Sequence, residues 1–405
     1  MTPTPSTSGP LQGIRILDMA TVVAAPFAAT LCGDMGAEVT KLELPDGSDT
    51  LRHMLPVMGP HALFWKVTNR GKRGITLDVR KPEGKALFLK MLPSFDVLVE
   101  NFRTGTLDRW GLDLKTLHEH NPDLIVLRLT GFGQTGPYAR RPGFARIFEA
   151  MSGFAQLTGE SGRSPQHMNY PLGDVISGLF GAFSIATALA DRARRPSGEQ
   201  RGCEIDLAAT EALMRMLDPL PVEYQHQQIV RERTGARATY SALSNIFATQ
   251  DGQWLTIVGT SGNSYRRIFD AMGRADLLEG DKLATSASRL QHSNEVDGIV
   301  ADWCLSLPLA EIQDILTRHE VPHSKVYSIE DLVADPHVQA RESLIQLPDP
   351  DLGHVAAPCV VPRFSNHTPA TPRSGPAVGE HNEEVFGEFG VQAAELARLK
   401  SLGVV

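Results

Sequence analysis

The chain has 405 residues, 42% hydrophobic and 21% charged, which is ordinary for a globular protein and enough for a large core. This length predicts two domains, or one large domain with a lobe. The formal net charge of −8 argues against a general nucleic-acid binder but is compatible with a local basic pocket. The four cysteines are scattered without a CxxC spacing, so we expect no zinc site and a reducing, cytoplasmic environment.

Targeting and membrane signals are not expected. The N-terminal tail of Thr, Ser, Pro and Gly lacks the basic and apolar regions of a signal peptide. The longest apolar stretch, residues 179–190, is predicted to be too short to span a bilayer.

The N-terminal part of the chain alternates between short apolar strands and helices. Strands are predicted at 14–17, 74–78, 96–100 and 124–129, a turn followed by a strand at 36–43, and helices at 24–32, 81–92 and 107–120. Further along, a run of small and apolar residues over 175–189 predicts another helix. Such alternation indicates an α/β fold with a largely parallel sheet.

The composition of the sequence changes near residue 225. We expect a first domain over 1–224 and a small domain over 225–327. Residues 328–405 then form a return segment and the C-terminal part of the large domain. The specific predictions here are a turn and strand over 251–258, helices near 264–275 and 294–319, a Pro-rich extended path over 351–378, and a final helix opening at 381–386.

Asp174 is the most informative single residue. It ends the tetrapeptide Pro171-Leu172-Gly173-Asp174 and precedes the apolar helical run. The helix N-terminus is expected to keep this carboxylate ionised, and the preceding glycine lets a substrate approach closely. An ionised carboxylate beside open space is a candidate nucleophile. The alternative from this segment alone is that Asp174 serves only as an N-cap.

The segment Gly131–Gly136 matches the pattern G-x-G-x-x-G after a predicted strand, which is one sign of a dinucleotide site. The residues that follow include Pro137 and Pro142, which are unsuited to opening a helix against the sheet. A mobile loop over a site is the simpler interpretation. A nicotinamide-dependent oxidoreductase remains the alternative from another enzyme class.

Cations recur at loops beside two of the predicted strands. The segment 69–73 contains Arg70, Lys72 and Arg73, and the segment 101–105 contains Arg103, with Arg109 close behind. Ligands of open α/β sheets collect at the carboxyl ends of strands, so these positions suit a ligand with several phosphates. The alternative, a solvated basic face, stays open on these grounds.

Taken together, these segments resemble family III CoA-transferases, the group that includes formyl-CoA transferase, carnitine CoA-transferase and acyl-CoA racemases. The resemblance covers nearly the whole chain. It is carried by Leu17-Asp18 through Ala24-Ala25-Pro26, Gly36 to Val39, Asn69 to Arg73 with Asp78, Val99 to Arg103 with Gly105 and Leu107 to Arg109, Gly131 to Gly133, Gly173-Asp174, and Gly379 to His381.

The resemblance implies that Asp174 is the nucleophile and that the reaction passes through a mixed anhydride and an aspartyl-CoA thioester. It implies no metal and no permanently bound cofactor, with a coenzyme A thioester as substrate. The CoA contacts carried over from the family are Val23, Ala24, Lys72, Arg73, Asn101, Phe102, Arg103 and Arg109. Leu44 stands where many members have an arginine, so that contact is not expected here.

The same resemblance implies a large α/β domain built from both chain ends, a smaller middle domain, and a homodimer of interlocked chains. A homologous second subunit is a further option for a partner. The racemases of this family need a second proton-carrying residue, and the matching positions here are Phe144 and Ala145, which carry none. A transferase is therefore expected, with a racemase or isomerase of the same family as the alternative.

The substrates are expected to be short dicarboxylates, with succinyl-CoA as donor and a malate- or citramalate-like acid as acceptor. The reason is positive charge near the expected site, which a second carboxylate would need. Candidate substrate residues are Arg52, Arg140, Arg141, Arg146, His167, Asn169 and Tyr170. Neither nucleic acid nor membrane is expected as a partner.

Overall fold

A computed structural model describes residues 9–196, 199, 201–279 and 282–405. They divide into two compact units. The first comprises the described residues through Phe154, then His167–Gln225 and Ala340–Val405, and the second comprises Ala155–Gln166 and His226–Gln339. The predicted boundaries 1–224, 225–327 and 328–405 stay a prediction about how the chain is organised in domains.

The first unit is built on a six-stranded sheet in which every pairing is parallel. Its strands are β1 (Arg15–Asp18), β2 (Glu38–Glu43), β5 (Arg73–Thr76), β6 (Val97–Glu100), β7 (Ile125–Thr130) and β8 (Cys203–Ala208), in the order β5-β2-β1-β6-β7-β8. Two hairpins are separate from it, β3 (Val57–Met58) with β4 (His61–Ala62), and β12 (Leu344–Asp349) with β13 (Gly353–Pro358). The predicted α/β class with a parallel sheet is confirmed.

Helices cover both faces of this sheet, because its central strands are buried on both sides and need apolar partners. The helices up to residue 227 are α1 (Ala24–Asp34), α2 (Leu63–Thr68), α3 (Pro82–Met91), α4 (Thr106–Arg109), α5 (Leu114–His120), α6 (Ala145–Ser152), α7 (Phe154–Leu157), α8 (Leu172–Arg192), α9 (Ala209–Arg215) and α10 (Pro219–Gln227). The C-terminal helices are α16 (Pro336–Ala340), α17 (Asn382–Glu388) and α18 (Ala393–Ser401).

The second unit has its own three-stranded antiparallel sheet and its own apolar core. Its strands are β9 (Ser244–Ala248), β10 (Trp254–Val258) and β11 (His323–Lys325), in the order β11-β10-β9. Its helices are α11 (Gly262–Ala271), α12 (Ser286–Gln291), α13 (Ser293–Leu305), α14 (Leu309–Arg318) and α15 (Ile329–Ala334). Short 3₁₀ turns occur at Thr50–His53, Leu92–Ser94 and Ala275–Leu278.

Some predicted elements differ from the observed ones for local reasons. The helix predicted over 107–120 is two helices, since Gly111 adopts a φ of 67° and Asp113 starts α5 by accepting a hydrogen bond from Thr116 N–H at 3.0 Å. The helix predicted over 294–319 is likewise interrupted at Pro308, which precedes α14. The elements that were not predicted are strands β3, β4, β8, β9, β11, β12 and β13 and helices α2, α6, α7, α9, α10, α12, α15, α16 and α18.

Helix α8 packs closely on α1 through a stripe of small residues. A Cβ added at Gly178 would lie 2.6 Å from the Ala24 carbonyl oxygen, and one added at Gly181 would lie 2.9 Å from the Ala28 Cβ. The opposite face is apolar and exposed at Leu179 and Phe183. By length and composition alone, this 21-residue helix could cross a membrane, although the apolar run was predicted to be too short. Its glycine stripe against α1 is the packing of a core helix.

We expect Gly178→Ala to lower the free energy of unfolding by about 1–3 kcal/mol, because overpacking forces two helices apart. The matched control is Gly298→Ala in α13, where the added Cβ meets nothing within 4 Å. That change should raise stability by up to about 1 kcal/mol through helix propensity. Both are measured by urea unfolding, and a Gly178→Ala protein as stable as wild type would contradict the close packing.

Candidate active site

The turn that follows β1 is held in a strained conformation. Val22 has a φ of 65°, which is unfavourable for a β-branched residue. The Asn101 side chain accepts from Thr21 N–H at 2.8 Å and donates to the Thr21 carbonyl at 2.7 Å. Asp49 accepts from Val22 N–H at 3.1 Å. The sequence-predicted Asn101 therefore supports the backbone just before Val23 and the start of α1.

A buried charge cluster lies beneath this turn. Lys72 Nζ donates to Asp18 Oδ2 at 2.8 Å, to the Pro26 carbonyl at 2.7 Å and to Asn69 Oδ1 at 2.8 Å. Burial lowers the pKa of Lys72 to about 8, against the opposing effect of Asp18. Burial acts to raise the pKa of Asp18, but Lys41 and Lys72 lower it below its ordinary value. Lys72 was expected to bind CoA phosphate, whereas here all three of its donors hold the protein interior.

Arg52 and Arg73 are also engaged by protein carboxylates. Arg52 makes a bidentate pair with Glu43, at 2.8 Å from Nε and 2.6 Å from Nη2, and its guanidinium lies 3.6 Å from the Trp65 ring centroid. Arg73 pairs with Glu384 at 3.2 Å and with Glu388. These acidic partners are not adjacent in sequence, so the sequence predicted free cations. Arg52 Nη2 also donates to the Pro376 carbonyl at 3.1 Å.

A cavity of about 290 Å³ opens at the carboxyl ends of β1, β2 and β6. Phe102 and Trp110 meet in it edge to face, with ring centroids 5.0 Å apart. The next residue, Arg103, is exposed, and Arg109 is exposed with one donor on Thr106 Oγ1 at 2.8 Å. The cavity is lined by Met19, Thr21, Val22, Leu42, Glu43, Leu44, Ser48, Asp49, Thr50, Leu77, Val79, Phe102, Trp110 and Phe144.

A larger cleft of about 1070 Å³ lies beside the N-termini of α1 and α8. Its walls are mostly apolar, and its polar side chains include Arg146, Asn169, Tyr170 and the ion pair of Asp34 with Arg70. The lining is Val23, Phe27, Thr30, Leu31, Asp34, Met54, Leu55, Pro56, Leu63, Phe64, Val67, Thr68, Arg70, Ala145, Arg146, Asn169, Tyr170, Pro171, Val175, Val355, Ala356, Pro358, Cys359 and Val361.

The two cavities are neighbours. Val22 lines the smaller cavity and the next residue, Val23, lines the larger cleft. In the same way, Phe144 lines the smaller cavity and Ala145 lines the larger cleft. The two cavities therefore share a wall at these two places. The sequence-predicted Val23, Phe102, Arg146 and Tyr170 are brought to this pair of cavities.

Asp174 is the third residue of α8, between Pro171 and Val175 of the larger cleft. Within the described residues no hydrogen bond reaches its carboxylate. Burial raises the pKa of Asp174 to about 7, and the Glu149 carboxylate adds to this effect. The helix N-terminus was expected to keep Asp174 ionised, but burial and Glu149 outweigh its effect and raise the pKa. The N-cap alternative is wrong, because the N-cap residue is Pro171.

Glu149 on α6 is the residue that the sequence analysis missed. Its side chain is 3% exposed, its Oε1 accepts from Gly173 N–H at 2.9 Å, and its Oε2 accepts from His167 Nδ1 at 2.8 Å. The pKa of Tyr170 is raised by burial and then by Asp174. A lone Glu in an amphipathic helix carries no signal of burial, so only the folded chain reveals it.

The Gly-rich segment is a loop in which two backbone N–H groups are engaged by protein oxygens. Gln134 N–H donates to both Asp206 oxygens at 3.0 Å, and Gly133 N–H donates to Thr130 Oγ1 at 3.0 Å. The next helix, α6, does not open directly from it. A pyrophosphate site needs such N–H groups free at a helix N-terminus, so the dinucleotide interpretation loses its geometric basis. Arg141 lies over the Tyr138 ring at 4.5 Å.

Comparison with known proteins assigns the chain to a class of enzyme. The sequence profile of CoA-transferase family III matches residues 11–382. The chain therefore belongs to this family and is a CoA-transferase, which confirms the family expected from its motifs.

Individual relatives match over nearly the whole chain. It is 41% identical to the succinyl-CoA–L-malate CoA-transferase beta subunit of Chloroflexus aurantiacus, covering 99% of each. It is 37% identical to the succinyl-CoA–D-citramalate CoA-transferase of the same organism, covering 98% of each. A crystal structure of a CaiB/BaiF family protein from Brucella suis is similar with a TM-score of 0.82 and 29% identity, over 94% of this chain and 100% of that one.

The raised pKa of Asp174 predicts a pH-dependent effect on stability. A folded-state pKa of about 7, above the ordinary 3.8, means that the protonated group stabilises the fold below about pH 4 and that this stabilisation is lost as the pH rises through 7. We therefore expect Asp174→Asn to raise the free energy of unfolding at pH 8 by about 2–4 kcal/mol, at about 1.4 kcal/mol per pKa unit.

At pH 4 the same variant should show little gain, because Asp174 is then protonated in the folded state and only partly ionised in the unfolded state. The matched control is Asp302→Asn, at an exposed position of α13. It should change stability by less than about 0.5 kcal/mol at either pH. Urea unfolding at both pH values checks this, and an equal effect of Asp174→Asn at pH 4 and pH 8 would contradict the raised pKa.

Proposed function

We propose that this enzyme transfers CoA from succinyl-CoA to a malate- or citramalate-like dicarboxylate, with Asp174 as the nucleophile. The observation that carries the proposal is an unbonded carboxylate at the start of α8, flanked by Pro171 and Val175 of a large apolar cleft. The activities for which the two Chloroflexus relatives are named support the choice of acids.

The reaction proceeds by two exchanges at Asp174. Its carboxylate oxygen attacks the succinyl thioester carbonyl and the C–S bond breaks. CoA leaves as a thiolate, and a mixed anhydride of Asp174 and succinate is formed. The thiolate then attacks the Asp174 carbonyl and expels succinate, which leaves an aspartyl-CoA thioester. The acceptor carboxylate repeats these steps in reverse, so acyl-CoA product forms and Asp174 is regenerated.

Desolvation of the site serves this chemistry in two ways. An apolar cleft limits hydrolysis of the anhydride and the thioester by water. A carboxylate with a pKa near 7 is more basic than an ordinary one, so it is a better nucleophile once it is ionised. The rate should accordingly rise with pH through 7.

The CoA moiety is proposed to bind across the two cavities. The adenine base would stack against Phe102 in the smaller cavity, with Arg103 and Arg109 toward the phosphates. The pantetheine arm would pass the turn at Val23 and Ala24 to reach Asp174. Asn101 would act through Thr21 by holding this turn. Because Lys72 and Arg73 are engaged by protein carboxylates, they are proposed here to support the site without touching phosphate.

We also propose a cytoplasmic homodimer. The support is the apolar outer face of α8, where Leu179 is 60% and Phe183 67% exposed in the single chain. A homologous second subunit is the alternative partner, since the relatives include a beta subunit.

Neither alternative activity gains support. A racemase needs a second base, and Phe144 and Ala145 provide none at the cavity walls. The comparisons favour no nicotinamide-dependent oxidoreductase.

Incubation with succinyl-CoA should attach CoA to Asp174, because the thioester intermediate is covalent. Mass spectrometry of the digested protein should find the mass of CoA less water on the peptide that contains Asp174. Asp174→Asn should abolish both the adduct and CoA exchange, and Asp302→Asn should leave both unchanged. Substantial turnover by Asp174→Asn would overturn the mechanism.

Arg146 lines the larger cleft and has no hydrogen bond or ion pair within the described residues, so we expect it to bind the distal carboxylate of the acceptor. Arg146→Ala should lower kcat/KM for malate by about 10–100-fold, the value of a charge-assisted pair, and affect a monocarboxylate of equal length little. Arg146→Lys should recover part of the loss.

The matched control is Arg194→Ala, an exposed arginine just beyond the C-terminus of α8. A 21-residue helix is about 30 Å long, so this position is remote from Asp174. Arg194→Ala should leave both acceptors unaffected. Equal losses for dicarboxylic and monocarboxylic acceptors in Arg146→Ala would remove this role.

A further inference from the structure

Two local features keep hydrogen-bond donors away from Asp174. An acidic residue at the third position of a helix normally folds back to the N-cap N–H, as in a capping box. Here the N-cap residue is Pro171, which has no N–H to offer. The neighbouring donor, Gly173 N–H, is already bound by Glu149 Oε1 at 2.9 Å.

Glu149 is fixed where it can act on this helix start. Its side chain is 3% exposed, and its second oxygen accepts from His167 Nδ1 at 2.8 Å. It therefore bonds both ends of the segment 167–173 that leads into the nucleophile. A buried carboxylate with both oxygens bonded is held in one orientation.

We propose that Glu149 and Pro171 are positioning residues that leave the Asp174 carboxylate unbonded and repelled by a like charge, so that its conversion to an acyl group is favoured. This inference rests on the proposed covalent role of Asp174. Formation of the anhydride or the thioester converts the negatively charged Asp174 carboxylate into a neutral acyl group. The repulsion from Glu149 is then relieved, and no hydrogen bond to the carboxylate has to be broken.

Glu149 is the charged residue that acts on Asp174 most directly. The pKa of Asp174 is raised by burial and then by Glu149, and no cation opposes this. The other charged and titratable groups on the segments packed against or leading into α8 are Asp34 on α1, Arg146 on α6, Glu211 and Arg215 on α9, Arg128 on β7, Glu204 and Asp206 on β8, and His167 and Tyr170 before the helix. Several are paired elsewhere, Asp34 with Arg70, Arg128 with Glu204 and Arg215 with Asp218.

The direct test is Glu149→Gln, because a glutamine oxygen can still accept from Gly173 N–H while the charge is lost. The readouts are the pH profile of kcat/KM for succinyl-CoA and the fraction of enzyme carrying CoA at Asp174. We expect the acidic limb of the pH profile to move to lower pH by at least half a unit. Above pH 8 the value of kcat/KM should fall several-fold, and the fraction of enzyme carrying CoA at Asp174 should fall as well. An unchanged limb and adduct would overturn the inference.

A second variant, Pro171→Ala, tests the same idea without touching Glu149. It restores an N–H at the N-cap, so Asp174 can accept a hydrogen bond, and the acidic limb should again move down with a slower exchange. The matched control is Glu211→Gln, which removes a charge from an exposed position of α9. It should leave profile and adduct as in wild type.

The outcomes separate this inference from the proposed function. If wild-type enzyme forms no adduct at Asp174, the proposed function fails. If wild-type enzyme forms the adduct but Glu149→Gln and Pro171→Ala keep its pH profile, only the positioning role fails. A loss of rate in Glu149→Gln with an unmoved acidic limb would mean a purely structural role and would also overturn the inference.

Discussion

The close packing of α8 on α1 is the constraint on which the rest of the site depends. Gly178 and Gly181 leave no room for side chains, since an added Cβ would lie within 3 Å of Ala24 and Ala28. The start of α8, with Asp174, is consequently set beside the start of α1, with Val23. The larger cleft forms where these two helix starts meet the hairpin strand β13 and helix α2.

Buried charge beneath the cleft has a structural purpose. Lys72 and Lys41 surround Asp18 under a turn in which Val22 is strained, and Asn101 and Asp49 hold that turn from the side. A fully desolvated ion pair is a weak source of net stability, but removing one partner is costly because the other is left alone. Such a cluster suits a backbone that must keep an unfavourable conformation at a binding surface.

Neighbouring charges act on Asp174 in the opposite direction to those on Asp18: lysines lower the pKa of Asp18, whereas Glu149 raises that of Asp174. Within the described residues no cation lowers the pKa of this carboxylate, and the charge that raises it, after burial, is Glu149, of the same sign. The Asp174 carboxylate is thus left without a hydrogen bond within the described residues, whereas both oxygens of Glu149 are bonded. Two carboxylates in different surroundings can have different roles within one fold.

The sequence alone determined those features that depend on neighbours along the chain. The alternation of apolar strands and helices was sufficient to predict the α/β class, and the order of short motifs was sufficient to predict the family. Glycines and prolines at turns broke two predicted helices, and strand β8, at the edge of the sheet, was missed because its alternating burial is a weak signal.

Tertiary structure decided what each charged side chain faces. From the sequence, Lys72 and Arg52 were expected to be free cations. In the structure Lys72 pairs with Asp18 of β1, and Arg52 pairs with Glu43 of β2. Nothing in the sequence distinguishes Glu149 from an exposed helix residue, but in the folded chain it is buried and bonded to Gly173 and His167. The pKa of a group depends on desolvation and on charges a few ångströms away, and those neighbours are brought together only when distant segments pack. The chemical character of Asp174 is thus a property of the fold, although its identity was visible in the sequence.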